Sequence, residues 1–131
     1  MAKKLLVIDD QAGITKVVEM IARQLGITTR TLNNSSQATE TFIAFKPDIL
    51  ILDMIMPEKD GIDLLDEMML SGLPAKFIVM SGYGDAYLRL AEGVAAFHGA
   101  EPPTVLRKPF RREDLEALLR GVLATGPAPL E

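Results

Sequence analysis

Polar side chains follow four apolar segments of the chain, at the points where these segments end. They are Asp9 and Asp10 after the first segment, Asp53 after the third, Ser81 and Gly82 after the fourth, and Lys108 after the fifth. Carboxylate oxygens are ligands that Mg²⁺ prefers in proteins, and a carboxylate can also attack phosphorus. A hydroxyl and an ammonium can stabilise the charge on a transferring phosphoryl group. The residue types therefore predict phosphoryl chemistry at a magnesium site.

Five apolar segments alternate with five amphipathic segments along the chain. The apolar segments predict strands over 5–8, 27–32, 49–53, 77–80 and 104–106. In the first amphipathic segment, apolar residues recur at helical spacing and predict one buried stripe; they are Ile14, Val17, Val18, Ile21 and Leu25. Strict alternation of strands and helices predicts an α/β fold with a parallel sheet and right-handed crossovers. Ligands of such sheets bind beyond the carboxyl ends of the strands, where all the polar residues above lie.

Several residues predict where the helices begin and end. Gly26 is predicted to end the first helix. Ser35 or Ser36 is predicted to cap the second helix, Asp60 the third and Asp85 the fourth. These assignments leave loops at the strand ends that carry the candidate chemistry.

The composition limits the class of protein. A chain of 131 residues with 48% hydrophobic and 24% charged residues predicts one globular domain. A net charge of −4 and a pI near 5.0 argue against nucleic acid as a direct partner, because phosphate neutralisation needs a basic surface. No apolar run is long enough to span a membrane, and no secretory signal is recognisable. The absence of cysteine excludes thiolate chemistry and fits a cytoplasmic location.

The order of these residues resembles the receiver domain of two-component response regulators, the CheY-like family. Asp53 followed by Pro57 and Gly61, and the Lys108-Pro109 pair, match the family's motifs most specifically. The resemblance implies a flavodoxin-like (β/α)5 fold with strand order 2-1-3-4-5. It also implies a receiver domain over residues 1–124 and a flexible tail or linker over 125–131, whose final Leu130-Glu131 pair is compatible with a cloning remnant.

The resemblance implies a role for each candidate residue in a Mg²⁺-dependent phosphoryl transfer. On the metal side, Asp10 and Asp53 would be direct ligands, Asp9 would act mainly through water, and the backbone carbonyl of Ile55 would complete the protein ligands. On the phosphoryl side, the list is Asp53 as acceptor, Lys108 as ligand of a phosphoryl oxygen, Ser81 as switch hydroxyl, Gly82 and Met54 beside the bound group, and Pro109 in the cis form.

A receiver of this type is a signalling switch rather than an enzyme acting on an external substrate. The implied partners are a sensor histidine kinase or a histidine phosphotransfer protein, and a downstream protein or output domain. The sequence leaves open whether the chain acts alone or is the receiver part of a longer effector. A small-molecule phosphatase with an Asp nucleophile is less favoured, because such enzymes need a second acid where Ile55 stands.

Two features depart from the family pattern. Val105 occupies the position three residues before Lys108, where the family usually has a switch aromatic. Tyr83, Tyr87 and Phe97 are the candidates that could replace it in coupling to Ser81. The segment between Ser81 and Lys108 is also several residues longer than expected. His98, the single histidine, lies in this segment and is predicted to be a surface or partly packed residue.

Overall fold

Strands and helices alternate along the whole described part of the chain. The computed structural model describes residues 2–82 and 86–125, apart from the side chain of Thr125. Its elements are β1 (Lys4–Ile8), α1 (Ala12–Gln24), β2 (Thr28–Leu32), α2 (Ala38–Phe45), β3 (Ile49–Asp53), α3 (Gly61–Leu70), β4 (Lys76–Ser81), α4 (Ala86–Phe97), β5 (Thr104–Arg107) and α5 (Arg112–Thr125). The predicted α/β alternation is confirmed.

The five strands form one parallel sheet in the order β2-β1-β3-β4-β5. This is the flavodoxin-like order that the resemblance implied. The strand order reverses between β1 and β3, where the two strands pair over Leu5–Ile8 and Ile49–Leu52. The crevice for ligands in such a sheet opens beyond this reversal.

Two hydrophobic cores lie on the two faces of the sheet. One packs α2, α3 and α4 against the face that carries Leu6, Ile8, Leu50 and Leu52. The other packs α1 and α5 against the face that carries Leu5, Val7, Ile49 and Ile51. Every residue of β3 is buried because helices cover both of its faces. The continuously apolar sequence of β3 therefore holds its last residue, Asp53, in a fixed position.

The predicted cap of α3 is confirmed, but the predicted cap of α2 is wrong. The Asp60 carboxylate accepts a hydrogen bond of 3.1 Å from the backbone N–H of Asp63. At α2 the N-cap residue is Gln37, which makes no side-chain cap bond. The hydroxyl of Ser35 instead accepts a hydrogen bond of 3.0 Å from the backbone N–H of Lys59. The predicted cap at Asp85 lies outside the described residues.

Helices α1 and α5 can be compared with the helices that the sequence predicts. The chain turns after α1 at Gly26, whose φ of 79° favours glycine. Val17 was predicted on the buried stripe of α1 but is 40% exposed, because it faces a cavity rather than the sheet. The tail was predicted to begin at Thr125, but helix α5 continues through this residue; the rest of the predicted tail, 126–131, lies outside the described residues.

A side-chain hydrogen bond joins the residue that follows α4 to α3. The Nε2 atom of His98 lies 2.7 Å from Oδ1 of Asp66, and the His98 side chain is 12% exposed. The histidine is thus partly packed, as predicted. Gly99 follows with a φ of 69°, and the backbone N–H of Ala100 bonds the carbonyl of Ala95. Among residues 2–82 and 86–125, no helix is both long and apolar enough to cross a bilayer.

Candidate functional site

The structure brings three carboxylates together at the carboxyl ends of β1 and β3. Asp9, Asp10 and Asp53 each offer an oxygen atom, and these atoms lie within 4.8 Å of one another. Asp9 and Asp53 are buried, whereas Asp10 is exposed. Like charges this close disfavour joint ionisation, so the cluster needs nearby positive charge.

Lys108 provides one such charge. Its Nζ lies 2.6 Å from Oδ2 of Asp9 and 3.5 Å from Oδ2 of Asp53. The backbone N–H of Lys108 donates to the carbonyl of Ser81 over 2.9 Å, which joins the ends of β5 and β4. The peptide bond between Lys108 and Pro109 is cis, as the resemblance implied. The Lys108 ammonium therefore lies beside two of the three carboxylates, those of Asp9 and Asp53.

The Asp53 carboxyl group is electrostatically unfavourable in its ionised form. Burial and, next, the negative charge of Asp9 raise the pKa of Asp53 to about 6. Lys108 and the backbone N–H of Ile55 act in the opposite direction without cancelling the shift. The carboxylate remains largely ionised near pH 7, so it can act as a nucleophile, and it has much to gain from a bound cation.

The loop that carries Asp9 and Asp10 is held by several hydrogen bonds. The backbone N–H of Asp9 donates to the carbonyl of Leu32 over 3.1 Å. The Oδ1 atom of Asp9 accepts from the backbone N–H of Gln11 over 2.9 Å. The side-chain amide of Asn33 donates to the carbonyl of Asp9 over 3.0 Å. The first loop of the site is thereby fixed to the end of β2.

The loop after Asp53 closes on itself. The backbone N–H of Gly61 donates to the carbonyl of Met54 over 3.0 Å. A Cβ atom at Gly61 would lie 2.6 Å from the Cα of Met54, so only glycine fits this approach. Within the loop, Ile55 is 42% exposed, and its N–H lies 3.4 Å from Oδ1 of Asp53. The hydrogen bond between Gly61 and Met54 joins the two ends of this loop and keeps the Ile55 backbone beside the carboxylates.

An open cavity of about 700 Å³ gives access to the site. Its polar wall is formed by Asp10, Gln11, Asp53, Gly82 and Lys108, and its apolar wall by Ile14, Val17, Ile55, Pro109 and Phe110. The sequence pointed to Ile55 and Pro109 as site residues but not to Ile14, Val17 or Phe110. The α1 residues of this wall follow the same helical spacing as core residues, and spacing alone does not tell a cavity wall from a core.

Three of the predicted residues do not line this cavity, and the first is Asp9, which is fully buried behind Lys108. Ser81 ends β4 nearby but is 2% exposed. Met54 is fully buried in the core, its N–H donates to the carbonyl of Met80, and its carbonyl accepts from Gly61. Both backbone groups of Met54 are therefore already hydrogen-bonded within the protein.

The residues considered for signalling from Ser81 are spread along the structure. Val105 is 37% exposed on β5, and Tyr87 packs partly against the core under α4. Phe97 is 84% exposed at the far end of α4, on the side away from the carboxyl ends of the strands. Tyr83 lies outside the described residues. Of these candidate aromatics that the structure describes, Tyr87 is closer in the chain to Ser81 than Phe97 is.

The chain is similar to several known proteins. It is 35% identical over 85 residues to chemotaxis protein CheY of Thermotoga maritima, covering 64% of this chain and 71% of that protein. It is 33% identical over 85 residues to sporulation initiation phosphotransferase F of Bacillus subtilis, covering 65% and 68%. It is 28% identical over 120 residues to transcriptional regulatory protein TrcR of Mycobacterium tuberculosis, and it spans 45% of that regulator's length.

Solved structures and the family's sequence profile agree with these relatives. A response regulator receiver domain from Clostridium thermocellum superposes with a TM-score of 0.76 at 29% identity, covering 95% of each chain. Residues 5–120 match the family described as the response regulator receiver domain. The fold, the acidic cluster and these similarities lead to one conclusion: the chain belongs to the receiver domain family of two-component response regulators.

Proposed function

We propose that this chain is a phosphorylation switch in which Asp53 accepts a phosphoryl group from a sensor histidine kinase or a histidine phosphotransfer protein. The observation that carries the proposal is the placement of Asp53. It ends a fully buried strand, lines an open cavity, and lies 3.5 Å from the ammonium of Lys108. The modified protein then changes a surface that binds a downstream protein or output domain.

The donor set fits Mg²⁺. Hard oxygen ligands suit this ion, and the cluster offers three carboxylates beside a single ammonium. The raised pKa of Asp53 indicates that the negative charge is under-compensated without a cation. Asp10, Asp53 and the Ile55 carbonyl would hold the ion directly, and Asp9 through water. When bound, the ion would neutralise charge on the transferring phosphoryl group.

The remaining residues would position and stabilise the reacting groups. An Asp53 carboxylate oxygen forms the new bond to phosphorus while the P–N bond of the donor phosphohistidine breaks, and the electron pair of that bond returns to the imidazole. Lys108 would bind a phosphoryl oxygen. The Ser81 hydroxyl would turn toward the phosphoryl group, beside the amide of Gly82 at the cavity wall. Only the ionised form of Asp53 can attack, and a cation bound beside this carboxylate would favour that form.

The face formed by α4, β5 and α5 is the proposed output surface, in a cytoplasmic protein without direct contacts to nucleic acid or membrane.

A second candidate is that the chain is the receiver part of a longer effector. The observation that favours it is that the chain spans only about half the length of several regulators it matches, including TrcR. In that case an attached domain, rather than a separate protein, reads the switch.

The decisive experiment is intact-mass analysis after incubation with acetyl phosphate, with Mg²⁺ or with EDTA. We expect a single phosphoryl adduct that needs Mg²⁺ and is absent from Asp53→Asn. Asp63→Asn, which changes an exposed aspartate of α3, is the control for loss of a carboxylate elsewhere. An adduct on Asp53→Asn would place the acceptor elsewhere. Steady hydrolysis of an external phosphate ester would favour the phosphatase alternative.

A further inference from the structure

The loop between β2 and α2, residues 33–37, contacts both loops that carry the candidate metal ligands. We call it the bridging loop. Asn33 donates from its side-chain amide to the carbonyl of Asp9, on the loop after β1. Two residues later, the Ser35 hydroxyl accepts from the backbone N–H of Lys59, on the loop after β3. The bridging loop itself contributes no residue to the cavity wall.

Both contacts are supported by further hydrogen bonds. The amide nitrogen of Asn33 also lies 2.8 Å from the hydroxyl of Thr15, which is 3% exposed on α1. Ser35 is 4% exposed, and its hydrogen bond with the loop after β3 is partly buried. The bridging loop therefore holds each neighbouring loop through a specific hydrogen bond.

The side chain of Lys59 strengthens the second contact. It pairs with Glu67 of α3, and Glu67 also accepts a hydrogen bond of 2.8 Å from the Thr39 hydroxyl of α2. The bond from Lys59, followed by that from Thr39, lowers the pKa of Glu67. The backbone of Lys59 thus bonds the bridging loop, and its side chain is linked through Glu67 to Thr39 at the start of α2.

Mg²⁺ tolerates little deviation from octahedral coordination. Its candidate ligands here stand on two separate loops, with Asp10 on one and the Ile55 carbonyl on the other. Cation affinity then depends on how well the two loops are held relative to each other. We propose that the bridging loop sets this spacing, so that Asn33 and Ser35 are positioning residues for cation binding. This inference rests on the proposed magnesium site.

The chain offers a neighbouring control for each residue. Asn34 is exposed, and in the part of the chain that the structure describes its side-chain oxygen accepts bonds from Ser36, which a carboxylate would retain. Asn33→Asp removes the donor to the Asp9 carbonyl, whereas Asn34→Asp adds the same charge one residue away. Coulomb attraction alone would make both variants bind Mg²⁺ more tightly. If Asn33 positions the loop, Asn33→Asp should bind Mg²⁺ about three- to tenfold more weakly than the wild type, while Asn34→Asp should bind it no more weakly than the wild type.

The test is titration of the full chain with MgCl₂, in which the change of amide chemical shifts gives the Mg²⁺ affinity. Urea unfolding in EDTA measures the stability of each variant separately. Ser35→Ala and its neighbour control Ser36→Ala form a second pair, with the same expected contrast. Each variant is compared while fully folded, so a general loss of stability cannot imitate a loss of affinity. In the cation-free state, we expect the amides of Asp10 and Ile55 to shift in Asn33→Asp and Ser35→Ala respectively.

The outcomes separate this inference from the proposed function. If the wild-type chain does not bind Mg²⁺, the magnesium site is wrong and the inference falls with it. If the wild type binds, and Asn33→Asp and Ser35→Ala bind as tightly as their controls, the inference alone is overturned. If either variant is unfolded without urea, the other pair decides.

Discussion

Replacing Asp53 by asparagine should stabilise the cation-free protein, although it removes the proposed acceptor. The pKa of Asp53 is about 6 in the folded protein against 3.8 for an unperturbed aspartate. This difference of about two pKa units corresponds to about 3 kcal/mol at pH 7, at about 1.36 kcal/mol per unit. The figure already includes the attraction of Lys108. Asparagine keeps the size of the side chain but carries no charge, so the folded state should gain about this amount.

The sign of the pH dependence follows from the direction of the shift. Because the folded pKa is raised, the folded protein binds a proton on Asp53 before the unfolded chain does. Wild-type stability therefore rises relative to Asp53→Asn mainly as the pH falls from about 6 to 3.8. The advantage of the variant should be largest at pH 7 and small near pH 4.

The assay is urea unfolding of both proteins in EDTA at pH 7 and at pH 4.5. With a slope of about 1.5 kcal/mol/M, the midpoint of Asp53→Asn should lie about 2 M above wild type at pH 7. Asp10→Asn is the control, because the exposed carboxylate of Asp10 is not buried with Asp53 and should give a smaller gain. Equal midpoints at pH 7, or a gain that does not change with pH, would refute the electrostatic reasoning.

Three further predictions concern neighbouring residues. Gly61→Ala should lower the free energy of unfolding by about 1–3 kcal/mol, because the new Cβ would meet the Met54 backbone. Gly93→Ala, at a position within α4 where a Cβ meets no other atom, should raise it by about 0.5–1 kcal/mol, and urea unfolding measures both changes. Lys108→Ala should retain Mg²⁺ binding yet lose about 3 kcal/mol of unfolding free energy in EDTA, because the buried Asp9 carboxylate loses its ion-pair partner. In this variant, phosphorylation should no longer change the amide hydrogen exchange of the protein. Ile55→Asn should shorten the lifetime of the phosphoryl group, measured by mass spectrometry over time, since Ile55 is a bulky apolar residue on the cavity wall; an unchanged lifetime would contradict this role.

The sequence predicted the sheet well because its strands are short apolar runs that end in polar residues. Parallel strands bring their carboxyl ends to one edge, so the meeting of Asp9, Asp10 and Asp53 followed from topology alone. The distance between Lys108 and Asp9 did not follow, because it depends on how the loop after β5 folds back over the sheet. The strand ends identify the residues, and packing sets the distances.

Other features could not be predicted because local patterns are ambiguous. Val17 has the spacing of a core residue, yet it faces the cavity. Ser35 stands where a helix cap is common, but its hydroxyl bonds a distant loop instead. Asn33 gives no sequence signal at all, since an asparagine after a strand is ordinary turn chemistry. Each of these outcomes is decided by contacts between residues far apart in the chain.

The hydrogen bond between His98 and Asp66, with that from Ala100 to Ala95, restrains one end of α4 and so makes the helix a lever. Twelve residues at about 1.5 Å each give α4 a length of about 18 Å from Ala86 to Phe97. The fixed end lies at the amino ends of the strands, and the other end lies nearest Gly82 and the cavity. A rotation of about 10° around the fixed end would move Ala86 by about 3 Å over that length. Small motions beside Asp53 would therefore be expressed mainly at the amino end of α4, while Phe97 stays almost still.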